Sequence, residues 1–171
     1  MWAQVLGALP DTTLLLRDRG RLSEQENVTA LIELFGNFGV AHRIDVVGAE
    51  LEVFCSQVDV MLAPSPRFDV LQAGRCVLAG VPVLALSGSV SGDDLAAALN
   101  GSPVAGRMVA GDSAGYVENA RQWCQDGTGL AAYRAAPKAA LAGAVSFDRV
   151  AYVRAFGECL SQAISRKAAA E

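Results

Sequence analysis

The sequence contains a single histidine, four cysteines and fewer basic than acidic side chains, 14 against 18. Each shortage excludes a class of function. His42 precedes Arg43 at the amino end of a predicted strand, the wrong end of a sheet for a ligand, so no Ser-His-Asp triad can be assembled around it and no general base is visible. Cys55, Cys76, Cys124 and Cys159 are widely spaced, with no Cys-x-x-Cys pair. Neither a zinc knuckle nor a redox motif is expected, and the thiols read as small buried hydrophobes. The formal net charge of −4 leaves no basic stripe to neutralise a run of phosphates, which argues against nucleic acid as a partner. The longest apolar stretches, such as Thr12–Leu16 and Val81–Leu86, are strand-sized and far below the roughly 18–20 residues that cross a bilayer, so no membrane partner is expected. Met1–Leu6 lacks the basic leader of a secretory signal, and the expected location is cytoplasmic. The sequons at Asn27 and Asn100 are then chance matches.

What remains is apolar and folded in character. Hydrophobic residues make up 52% of the 171 and charged residues 19%, the balance of one compact domain. Trp2–Leu9 has helical apolar spacing and stops at Pro10-Asp11, after which Thr12–Leu16 reads as a buried strand. Ser23 with Glu26 reads as a capping box ahead of a helix carrying Val28, Leu31, Ile32, Leu34 and Phe35 on one face, ended at Gly39. Arg43–Val47 and Val58–Leu62 read as strands around a short helix at Ala49–Ser56. Val70–Leu78 reads as a helix closed by Gly80, and Val81–Leu86 as a further strand. Beyond it come the Gly/Ser loop Ser87–Gly92, a helix over Asp93–Leu99 and a small strand at Arg107–Ala110. Tyr116–Cys124, Leu130–Leu141 and Phe147–Ser165 then read as helices. Strands alternating with helices predict βαβ units: a Rossmann-like, three-layer α/β/α sandwich with a mostly parallel sheet and a helical C-terminus. Ligands of such sheets bind outside the carboxyl ends of the strands, which directs attention to the loops after Leu16, Val47, Leu62 and Leu86.

Those loops hold the candidate site residues. Arg17-Asp18-Arg19-Gly20-Arg21 brings guanidinium groups to the end of the first strand, where they suit phosphate or carboxylate, or else form a solvated turn. After the third strand, Ala63-Pro64-Ser65-Pro66-Arg67-Phe68-Asp69 leads into a helix carrying Val70, Leu71, Gln72 and Arg75. Its free N–H groups suit an anionic oxygen, or else Asp69 caps them itself. After the fourth strand, Gly88 and Ser89 open a turn that approaches a phosphate or sugar closely, or is a plain capped turn before Asp93 and Asp94. It lacks the lysine of a Walker loop, and no Gly-x-Gly-x-x-Gly follows the first strand.

In order along the chain, Trp2-Ala3-Gln4-Val5-Leu6, Leu9–Arg17, Phe38-Gly39-Val40 with Arg43-Ile44, Val58–Leu62, Leu78–Leu84, Gly88, Tyr116-Val117 with Ala120, Leu130–Arg134 and Phe147-Asp148 resemble the C-terminal catalytic half of O-GlcNAc-transferase-type enzymes. The resemblance covers essentially the whole chain. It implies one nucleotide-sugar-binding lobe of a GT-B glycosyltransferase, 1–171 being that single lobe. A partner lobe upstream would face it across a cleft, often with tetratricopeptide repeats, and a protein would be the acceptor. The implied donor site is Arg17, Asp69, Val70, Leu71, Gln72, Arg75, Gly88 and Ser89, with no metal and no cofactor beyond the donor, whose nucleotide is left open. The chain departs from the family where Asp69-Val70-Leu71-Gln72 replaces a Gly-His-Thr-Thr run and Arg75 replaces the aspartate that meets the ribose. Two accounts follow: a differently charged pocket, suited for example to a nucleotide-activated sugar acid, or a site lost while the lobe persists as a scaffold or interaction module.

Overall fold

A computed structural model describes residues 1–22, 24–144, 146 and 148–168. The Ser23 cap and the helix start expected at Phe147 lie outside the described residues. The elements in chain order are α1 (Trp2–Ala8), β1 (Leu14–Arg17), α2 (Gln25–Gly36), a 3-10 turn (Ala41–Arg43), β2 (Ile44–Val47), α3 (Leu51–Gln57), β3 (Met61–Leu62), α4 (Val70–Leu78), β4 (Val83–Leu86) and α5 (Val90–Leu99). Then follow α6 (Ala105–Met108), β5 (Val109–Ala110), α7 (Ser113–Gln125), α8 (Gly127–Ala135), α9 (Pro137–Ala140) and α10 (Arg149–Ala168).

Among the described residues every ladder is parallel. β1 pairs with β2, Leu14 opposite Ile44 through Arg17 opposite Val47, and β3 and β5 flank β4 on its two edges. On β4 successive residues point to opposite faces, yet Val83, Leu84 and Ala85 are all buried, so helices cover both sides of the sheet there. The α/β Rossmann-like arrangement read from the sequence is the observed one. The sheet divides, however, between β1–β2 and β3–β4–β5.

Other departures have local causes. The helix expected over Leu130–Leu141 breaks at Ala136, which takes φ −145° and ψ 61° because Pro137 follows it; proline disfavours the helical conformation at the residue before it and has no N–H to donate. The helix expected from Asp93 starts at Val90 instead, because Ser89 accepts the Gly92 N–H and acts as the cap. The strand expected from Val81 starts two residues later: the Val81 N–H turns back to the Cys76 carbonyl at 2.9 Å, just past Gly80 at φ +83°.

The main core gathers β4, α4, α5 and α7, with Trp123 and Tyr116 fully buried. Two buried tyrosines anchor helices to distant backbone. Tyr116 donates to the Ala63 carbonyl at 3.2 Å, at the end of β3, and Tyr133 donates to the Val77 carbonyl of α4 at 3.0 Å. A smaller core of Ala3, Leu6, Leu14, Phe35 and Val40 lies under β1. Arg43 closes the end of α1, donating to the carbonyls of Leu6, Leu9, Pro10 and Thr12. α10 stands apart, with Val150, Tyr152, Val153, Phe156, Leu160 and Ile164 exposed.

Candidate functional site

β1 pairs with β2, and β3 leads through β4 to β5 in a separate ladder, so the order of strands turns at the seam where β1 and β3 line a common cleft. Such a switch point is where an open α/β sheet forms its ligand crevice. A cleft of about 820 Å³ occupies this seam, with Leu14, Leu16 and Leu62 along its walls and Arg17, Arg19 and Gln72 at its carboxyl mouth.

Arg17 organises the mouth. As the last residue of β1, its Nε donates to the Ala49 carbonyl in the β2–α3 loop at 2.9 Å, and its Nη1 donates to Gln72 Oε1 on α4 at 2.9 Å. Gln72 in turn donates from Nε2 to Asp69 Oδ2 at 2.6 Å. A cation, an amide and a carboxylate therefore form one chain of hydrogen bonds across the switch point, which fixes the Gln72 amide with its oxygen toward Arg17.

Asp69 does what a helix N-cap does: its Oδ1 accepts from the backbone of Leu71 at 3.0 Å and of Gln72 at 3.1 Å. The Gln72 side chain, then the Gln72 and Leu71 amides, with Arg19 nearby, hold the Asp69 carboxyl below its ordinary range. Those two amides are thus occupied, and of the two readings of this helix start the cap is the one the geometry realises. Val70 is half-buried and Leu71 is 83% exposed at the rim. Arg75, one turn further along α4, turns to α3 and pairs with Glu52. The loop after β4 is likewise internally bonded. The Gly88 N–H donates to Asp93 Oδ1 at 2.8 Å, and Ser89 accepts from Gly92 at 3.2 Å while donating to the Leu86 carbonyl at 3.0 Å. Gly88 at φ +79° is one place where the turn demands glycine.

Arg17, Gln72 and Asp69 are therefore linked in one chain of contacts, whereas Arg75 turns to Glu52 on α3. Gly88 and Ser89 touch none of these side chains. They reach the β3–α4 loop only through their neighbour Ser91, whose hydroxyl donates to the Phe68 carbonyl at 2.9 Å and accepts the Phe68 N–H at 3.2 Å. Sequence reasoning missed Glu52, Ser91 and the Ala49 carbonyl, whose partners lie more than twenty residues away along the chain and leave no local pattern. Among the described residues no group of His, Cys, Asp and Glu is placed to hold a metal ion, and no helix is long and apolar enough to cross a membrane.

No family model matches the chain, and no curated protein matches it by sequence. Among solved structures, a mutant of the O-GlcNAc transferase of Thermobaculum terrenum superposes on 98% of this chain with a TM-score of 0.80 and 23% sequence identity. The chain spans 33% of that protein's length. At this identity the likeness establishes architecture: the chain is similar in fold to about a third of that O-GlcNAc transferase.

Proposed function

We propose that this chain is the donor-binding lobe of a GT-B glycosyltransferase that transfers a sugar from a nucleotide-sugar to a Ser or Thr hydroxyl of a protein. The observation that carries the reading is the position of Arg17: a guanidinium held by two hydrogen bonds at the carboxyl mouth of a cleft at the sheet's switch point. Negative charge builds on the leaving nucleotide phosphate as the glycosidic bond breaks, and a cation fixed beforehand stabilises it more in the transition state than in the ground state. Because Asp69 occupies the Leu71 and Gln72 amides, that work falls to Arg17, Arg19 and Arg75 and not to the helix N-terminus. The partner lobe, the acceptor protein, the general base and any tetratricopeptide repeats belong to sequence outside these residues, in a protein of the cytoplasm. The reading rests on architecture for that division, since the superposed enzyme is about three times longer.

Calorimetric titration with UDP- and CMP-linked sugars tests the reading. Saturable binding that is lost in Arg17→Ala supports it; no heat with any nucleotide overturns it. A second reading, a lobe that keeps the fold as a scaffold without binding a donor, is favoured by one observation: both candidate helix starts, at Asp69 and Ser89, are capped by their own side chains. Silence toward every nucleotide, with the fold intact, is the outcome it predicts.

A further inference from the structure

Beside the cleft, next to its lining residue Leu51, stands a negative charge that the sequence did not point to. Glu52 lies on the first turn of α3, and its Oε1 accepts a hydrogen bond from Arg75 Nη2 on α4. Arg17 reaches the same loop from the other side, through its bond to the Ala49 carbonyl. Both guanidinium groups act on the Glu52 carboxylate, Arg75 the more strongly, and they help its own helix amides hold it below the ordinary range. The pair is solvent-facing, with Arg75 61% and Glu52 68% exposed, so the carboxylate can swing away without unfolding anything.

We propose that Glu52 is an internal anion that occupies the guanidinium of Arg75 beside the cleft, one turn along α4 from Gln72, and thereby sets the charge selectivity of the donor site. The inference rests on the donor-binding reading and adds to it a specificity-determining residue. A ligand phosphate gains Arg75 only by displacing Glu52, and the displaced carboxylate then faces the ligand's charge. Highly charged diphosphates are disfavoured relative to ligands of lower charge, while neutral groups are unaffected. Replacing the carboxylate by an amide of the same shape removes the competition and keeps α3 intact.

The experiment compares wild type, Glu52→Gln and the double variant Glu52→Gln/Arg75→Ala by calorimetry at low salt with UDP, inorganic pyrophosphate and uridine, with thermal melting as the control for folding. An exposed ion pair sets the expected size, about a two- to fivefold tightening of UDP and pyrophosphate in Glu52→Gln. Uridine affinity and the melting temperature stay unchanged, and the gain disappears in the double variant. UDP affinity equal in wild type and Glu52→Gln overturns the inference and leaves the donor site standing. A tightening that extends equally to uridine also overturns it, because charge is then not the cause. A silent wild type overturns the donor-binding reading and the inference with it, whatever Glu52→Gln binds. Silence in all variants overturns the inference together with the donor-binding reading.

Discussion

Arg17 and Gln72 stand 55 positions apart in the chain and meet at 2.9 Å, the guanidinium of β1 on the side-chain oxygen of α4. This contact joins the two halves of a sheet that no ladder connects. Its geometry depends on a planar fork that serves Ala49 and Gln72 at once, which a lysine ammonium cannot reproduce. In Arg17→Lys the charge remains but the bridge fails, and the expected loss of stability is about 1–2 kcal/mol. Urea unfolding followed by circular dichroism checks this; an unchanged midpoint would mean the bridge adds nothing.

Glycines near the site separate into permissive and obligatory. A Cβ on Gly92 would lie 1.9 Å from the Leu86 carbonyl oxygen, backbone that cannot step aside without moving β4. Gly92→Ala is expected to cost several kcal/mol, on the order of the largest single-site effects, or to prevent soluble expression. Gly74, inside α4, has open space around its missing Cβ. Gly74→Ala is expected to stabilise the protein by about 0.5–1 kcal/mol, because alanine loses less backbone freedom on entering a helix. Melting temperatures of the two variants should therefore move in opposite directions.

Tyr133 packs edge-on against Trp123, ring centres 5.4 Å apart, while its hydroxyl holds the Val77 carbonyl. Tyr133→Phe keeps the ring packing and removes one of two donors to the Val77 carbonyl, which keeps the Gly80 N–H at 3.2 Å, at an expected cost of about 1 kcal/mol. The slope of the denaturant transition should stay constant while its midpoint falls, since the area exposed on unfolding hardly changes.

Alkaline pH should weaken the fold in two stages. Burial, reinforced by the Cys55 thiol 3.2 Å away, pushes the Cys76 thiol from 9.0 up to about 12. Burial likewise raises the Tyr116 and Tyr133 hydroxyls above their usual 10.0. A group whose proton is held more tightly in the fold than in the open chain leaves stability intact below its unfolded pKa and withdraws it as pH climbs above that value. Stability should therefore be flat to about pH 9 and then fall, first through Cys76 and then through the tyrosines. In Cys76→Ala the fall above pH 9 should be shallower, carried by Cys124, whose thiol is likewise pushed up from 9.0 by burial and Asp59, until the tyrosines join it near 10. Denaturant midpoints measured at half-unit steps from pH 8 would show the same slope between pH 9 and 10 in both proteins if Cys76 ionised normally.

Periodicity made the architecture legible. The run Val70–Leu78 was bounded correctly because Asp69 and Gly80 are punctuation with a physical meaning at each end. Val83–Ala85 read as a strand covered on both faces because every residue in it is apolar. Short strands were read too long, as at Val58–Leu62, where only Met61 and Leu62 pair, because ladder length depends on a neighbour and not on the run itself. The site was legible only in part. Arg17, Asp69 and Gln72 sit where strand ends must lie, so topology located them. Glu52 and Ser91 acquire their roles from contacts 23 positions distant, which no local pattern encodes. Arg75 is visible in the sequence as a cation one turn past Gln72, but its orientation toward α3 depends on a carboxylate that sequence alone does not place beside it.

The fork of Arg43 across the carbonyls that end α1 has a bearing on how the chain acquires its shape as it is made. The Leu9 oxygen has Thr12 as a nearer donor, but the Pro10 and Thr12 oxygens remain for water to solvate until residue 43 has left the ribosome, and the Phe35 and Val40 side chains that shelter Leu6 arrive only shortly before it. The α1 segment is thus among those that must wait, and nascent chains stalled ahead of Arg43 should leave that turn open to proteases.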